Sequence, residues 1–150
     1  MKKILLIIVM LYSCAALAQA EEKIYRTPEV DVKPQLESGM YTFTMFISDN
    51  FKFPQLKNKR VTIFTSFLIE KDGRMHEEQA FSAVAKDYLP IEGNVQQTEA
   101  EKAQEAEALE HMKREAARIL ALFDEKWIPA QIAGQPVRCL YHYPITFNLE

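Results

Sequence analysis

Glycine and cysteine are scarce in this chain, with four of the first and two of the second among 150 residues. So few glycines exclude collagen-like repeats, and together with only seven prolines they exclude a low-complexity architecture. Histidine is limited to His76, His111 and His142, and no H-E-x-x-H, C-x-x-C or G-x-S-x-G pattern occurs. His76-Glu77-Glu78 reads as the solvated end of a strand. With no nameable acid, base and nucleophile, the expectation is a protein that is not an enzyme and has no cofactor and no metal site. A net charge of −3 leaves no electrostatic footprint for nucleic acid. Hydrophobic residues, by contrast, make up 48% of the chain and aromatics 11%, enough to bury the core of one domain.

The longest apolar run stands at the start. Lys2 and Lys3 precede Ile4–Ala18, and small residues follow in Ala16-Leu17-Ala18-Gln19-Ala20, the anatomy of a secretory signal peptide over residues 1–20. At about 15 residues, the run is shorter than the roughly 20 that a membrane-spanning helix needs. Cleavage fits after Ala18 and after Ala20. Leu11-Tyr12-Ser13-Cys14 also resembles a lipobox, so an envelope lipoprotein acylated at Cys14 stands as the alternative to a product free in the periplasm. Membrane association is expected only through a retained or lipidated N-terminus. Loss of residues 1–20 removes two lysines and no acid, leaving 16 basic against 21 acidic residues, a balance of −5. It also leaves Cys139 without an intrachain partner, so stability must come from packing.

Residues 21–38, with Pro28 and Pro34, read as an extended lead-in, and residues 39–150 as one domain. Met40, Phe43, Phe46 and Ile47 share a helical face, which predicts a short helix over 39–50. Residues 60–70 alternate as a strand, with Val61, Ile63, Thr65, Phe67 and Ile69 on one face and Thr62, Phe64, Ser66 and Leu68 on the other. Asp72-Gly73 predicts a hairpin turn with both central residues at positive φ, followed by a return strand from Met75 to about Val84. Residues 86–97 read as a loop. Thr98 and Glu101 then form a capping-box signature opening a helix to about Phe123. Its Leu109, Met112, Ala116, Ile119, Leu120 and Phe123 form a packing stripe. Its first half, Glu99 to Glu110, holds five glutamates and one lysine and reads as a solvated face or an acidic docking arm.

A turn at Ala133-Gly134-Gln135-Pro136 precedes a last strand over 137–148, in which Cys139 and His142 fall on opposite faces. Pro144 inside that strand points to an edge position, and edge strands are where another chain can add. The expected fold is α+β, a three-stranded antiparallel sheet with two helices on one face.

The string Trp127-x-Pro129-Ala130, Gly134-x-Pro136-Val137 and Pro144-Ile145-x-Phe147-x-Leu149 resembles the signature of the C-terminal domain of the TonB family of periplasmic energy transducers. Phe53-Pro54 is similar to the family's Tyr-Pro ahead of the first strand, and Glu70-Lys71-Asp72-Gly73 to its hairpin turn. The resemblance implies a protein-binding module of the cell envelope, connected with outer-membrane transport, whose last strand takes a partner segment by β-augmentation. That segment belongs to an outer-membrane transporter or a related envelope assembly. Carried over by position, the partner-binding residues are Arg138, Leu140, His142 and Thr146. Trp127, Pro129, Gly134, Pro136, Pro144 and Phe147 are implied as the structural motif. Binding stands ahead of energy transduction itself, which in the family also requires a membrane anchor and a long Pro-rich spacer. Two further readings stay open: an anchored transduction component, and a structural envelope protein that forms a homodimer through the same edge.

Overall fold

The computed structural model describes residues 22–88 and 97–150. The signal segment 1–20 lies outside the described residues, as does most of the loop expected over 86–97. The elements run in the order β1 (Tyr25–Arg26), a 3-10 turn (Thr27–Glu29), β2 (Gln35–Leu36), α1 (Met40–Asn50), β3 (Lys59–Ile69) and β4 (Met75–Asp87). They continue with α2 (Glu99–Leu122), β5 (Trp127–Ile128), β6 (Ala130–Ile132), β7 (Gln135–Val137) and β8 (Cys139–Leu149). Among the described residues, no helix is long and apolar enough to cross a membrane.

The fold is α+β, built on a mixed four-stranded sheet of order β1-β8-β3-β4, with two small two-stranded sheets, β2-β5 and β6-β7. Its antiparallel part, β8-β3-β4, matches the expected three strands. The fourth strand is a correction. Tyr25 and Arg26 pair in parallel with Cys139 and Leu140, so the start of β8 is not at the edge. Two residues are too short to show a β period, which is why the lead-in concealed them. Further along the lead-in, Val32 bridges Gln131 and Leu36 pairs with Trp127. The lead-in is thus stitched to the domain at three places.

One face of the sheet carries the core. Val61, Ile63, Phe67 and Ile69 of β3 pack with Phe43 and Ile47 of α1 and with Met112, Ala116, Ile119 and Leu120 of α2. The helix ends are satisfied locally. Thr98 Oγ1 accepts the Glu101 N–H at 3.2 Å while Glu101 Oε2 accepts the Thr98 N–H at 2.7 Å, closing the capping box. At the end of α1, Arg118 of α2 donates to both Glu115 carboxylate oxygens and to the Asn50 carbonyl, and the Lys52 N–H also donates to Glu115. Glu115 is buried, and these donors compensate its charge.

The acidic half of α2 is mostly exposed, but Glu105 is not simply solvated. Its carboxylate meets Lys59 Nζ at 2.8 Å and pins the helix to the start of β3.

Both turns differ in kind from the sequence expectation. The β3–β4 connection is a wider loop, closed by Gly73 N–H to Glu70 O and Glu70 N–H to Arg74 O, and within it only Gly73 has positive φ, at 81°. The two-residue turn with both residues at positive φ occurs instead between β6 and β7, at Ala133 (50°) and Gly134 (76°). Asp31 accepts the Ala133 N–H at 2.7 Å and holds the alanine in this left-handed region.

Gly73 sits against Trp127. The Trp127 N–H donates to Gly73 O at 2.8 Å, and a Cβ on Gly73 would lie 2.0 Å from Trp127 O. Trp127 is 3% exposed, with its ring 5.4–5.6 Å from those of Phe43, Phe67 and Tyr141. These contacts outweigh the cost, about 1–3 kcal/mol, of its Nε1, which has no hydrogen-bond partner among the described residues.

Two substitutions test the turns in opposite directions. Gly73→Ala combines a backbone clash with an unfavourable φ and is expected to cost about 2–4 kcal/mol. Ala133→Gly relieves left-handed strain and is expected to gain about 0.5–1 kcal/mol. Urea unfolding midpoints with unchanged slopes check both.

Candidate functional site: the outer edge of the last strand

The antiparallel register of β8 on β3 runs without a break from Lys59↔Leu149 to Ile69↔Cys139. Tyr25 N–H donates to Arg138 O at 3.0 Å, so Arg138 turns its carbonyl away from β3. Main-chain direction alternates along a strand, so the polar groups of Leu140, His142, Pro144, Thr146 and Asn148 also face outward. β1 occupies the Leu140 position and then leaves at the 3-10 turn containing Pro28, where Thr27 Oγ1 donates to Leu140 O at 3.5 Å. Beyond it, no strand among the described residues pairs with the outer side of Tyr141–Leu149. Pro144 lacks an N–H on that outer side, so it costs the β3 ladder nothing.

The four carried-over residues divide into two pairs. Arg138 is taken: its guanidinium chelates Glu70, with Nε to Oε2 at 2.9 Å and Nη2 to Oε1 at 2.8 Å. Leu140 lies under β1. His142 and Thr146 remain, exposed on the sheet face opposite the helices, with Thr146 Oγ1 sharing a 3.1 Å hydrogen bond with Thr62. The available edge is therefore His142 to Leu149. The motif residues are spread over several elements: Trp127 is buried in the core, Pro129 lies between β5 and β6, Gly134 and Pro136 belong to the β6–β7 hairpin, Pro144 is on β8, and Phe147 has its ring 4.5 Å from Phe51 and 4.9 Å from Phe53.

The opposite border of the sheet, β4, is a poor template. Phe81 is an extra residue between Ser82, paired with Phe64, and Ala80, paired with Thr65. A second irregularity lies between Gln79 and His76, where Glu77 has φ 56°. Bulges of this kind disrupt edge pairing. The first one turns Phe81 onto the open face, its ring 6.4 Å from Phe64 and 6.1 Å from His142.

The hairpin end of this face is ionic. Glu70 receives Arg138 and lies 2.7 Å from His76 Nε2, and Arg138 first, then His76, hold its carboxyl below the usual range. The open depression beside it, about 490 Å³, is lined by Glu70, Lys71, Asp72, Arg74, Met75 and His76. Among the described residues, no three His, Cys, Asp or Glu side chains are grouped to hold a metal ion. Cys139 is fully buried on the helix side, where burial raises its thiol pKa, and His142 is on the opposite face.

No protein-family model, curated protein or solved structure matches the chain.

Glu70, Phe64 and Phe81 join this region without having been singled out as site residues. The strand alternation already put Phe64 on the second face. The bulge that turns Phe81 leaves no periodic signal.

A carboxylate whose pKa is lowered by folding stabilises the fold above its unfolded-state pKa, and that contribution disappears as pH falls through the folded value. Glu70 and Glu115 are both of this kind. Glu70→Gln is therefore expected to be less stable than the wild type at pH 7. The two stability curves should converge as the pH is taken from about 5 towards 3, as followed by chemical denaturation.

Proposed function

We propose that this chain is an exported periplasmic interaction module of the TonB C-terminal-domain type, which binds a segment of a partner protein by strand addition along His142–Leu149. The observation that carries the reading is the contrast between the two borders of the sheet. Among the described residues the β8 border is in unbroken register and unpaired beyond Leu140, while the β4 border is broken by bulges. In such complexes, main-chain hydrogen bonds supply the affinity and alternate side chains the selectivity. The partner is an extended segment of an outer-membrane transporter or a related envelope assembly. The chemistry is association, with no bond made or broken.

Amide NMR of the full chain, titrated with TonB-box peptides of outer-membrane transporters, tests this. Shifts concentrated on His142, Thr146 and Asn148 are expected. Thr146→Pro removes an outward N–H and leaves the β3 ladder intact, so it should keep the fold and weaken binding about tenfold or more. Absence of shifts in this stretch at millimolar peptide would overturn the reading. A concentration-dependent dimer that buries 142–148 would reassign the edge to self-pairing.

A further inference from the structure

The sheet face away from the helices holds an apolar patch that the fold does not use. Phe81 is 54% exposed, Val84 43% and Phe64 39%. The register places Thr62 between Val84 and Thr146, and Phe64 between Ser82 and Pro144, so these residues form one surface. That surface reaches the free edge, because the Phe81 ring, turned by its bulge, meets His142 edge-on at 88°. A strand added beside β8 would set its open-face side chains about 4.8 Å from those of His142 and Pro144, within reach of this aromatic ridge.

Charge on the same face is one-sided. Among the described residues it carries no carboxylate between His142 and Asn148, and Glu150 follows the end of β8. Its cations are Arg60, which donates to Asn148 Oδ1 at 2.9 Å, and Lys86, opposite Arg60 in the register.

We infer that the segment taken up by β8 carries a bulky apolar side chain beside His142, seated against Phe81 and Pro144, and acidic rather than basic charge towards Asn148. This specificity rests on the strand-addition reading above. Contact with His142 and the patch requires one alternate position of the segment to be large and apolar, and Arg60 with Lys86 sets the sign of charge at the other end.

The test uses the full chain and synthetic octapeptides on an alternating Thr-Val frame. A single Phe is moved along the alternate positions, and Glu or Lys is placed at either end. One Phe position is expected to tighten binding at least tenfold, with the gain lost in Phe81→Ala and separately in His142→Thr. Glu at one end should bind more tightly than Lys there, and salt should narrow that difference. Both substitutions are at exposed side chains, and circular dichroism should show the fold unchanged.

If the plain frame shifts His142 and Thr146 but ignores the Phe position, the end charge and Phe81→Ala, strand addition stands and this specificity falls. If no peptide shifts residues 142–148, strand addition falls and takes the specificity with it. A dimer broken by Phe81→Ala and indifferent to every peptide would overturn it in favour of a second copy on the sheet face.

Discussion

The approach of Gly73 to the backbone of Trp127 is the constraint on which the rest of the structure depends. The hairpin between β3 and β4 must touch the segment that follows α2, and the 2.0 Å position of an added Cβ shows that only glycine permits it. Trp127 then pairs with Leu36 on its other side and places its ring among Phe43, Phe67 and Tyr141. One residue thereby joins the hairpin, the lead-in, α1 and β8. Close packing of this kind has two discrete outcomes, seated or unseated, because an interior at crystal-like density cannot adjust gradually.

That seat fixes the sheet from the helix side and leaves the other side without a covering helix among the described residues. With α1 and α2 both spent on one face, the opposite face is held through its own side chains, Glu70 with Arg138 and His76 at the hairpin end, and Thr62 with Thr146 and Arg60 with Asn148 further along. Towards the far end it presents phenylalanines, threonines and two cations. The two borders are treated differently as well. Bulges bend β4, whereas β8 stays regular and loses only the outward N–H of Pro144. A sheet that guarded both borders equally would have no preferred direction of growth.

Elements carried by a long period were legible from the residues. The alternation over 60–70 and the Thr98–Glu101 cap both describe the structure to within a residue or two, because several side chains report the same geometry. Features resting on one or two residues were not legible. β1 and β2 have two residues each and are defined by their partners, 139–140 and 127–128, across more than 90 positions of sequence. Asp72-Gly73 has the composition of a tight turn, yet its glycine is also required by the contact with Trp127, which no local pattern encodes. Ala133 takes a left-handed conformation in a turn where Asp31, 102 positions away, receives its N–H. In the candidate site, the exposure of His142 and Thr146 followed from alternation, whereas the capture of Arg138 by Glu70 and the covering of Leu140 by Arg26 are tertiary events.

The position of β8 between β1 and β3 also sets an order of assembly. Without the eleven residues of β8, the four-stranded sheet is reduced to the β3–β4 hairpin. The residues that β8 adds to the helix-side core, Ile145 and Leu149 among them, come from the end of the chain. Most of the stabilising pairings therefore join distant parts of the sequence, and loop closure must precede them. The last strand completes that core by pairing with β3 along its whole length and with β1 only at its start.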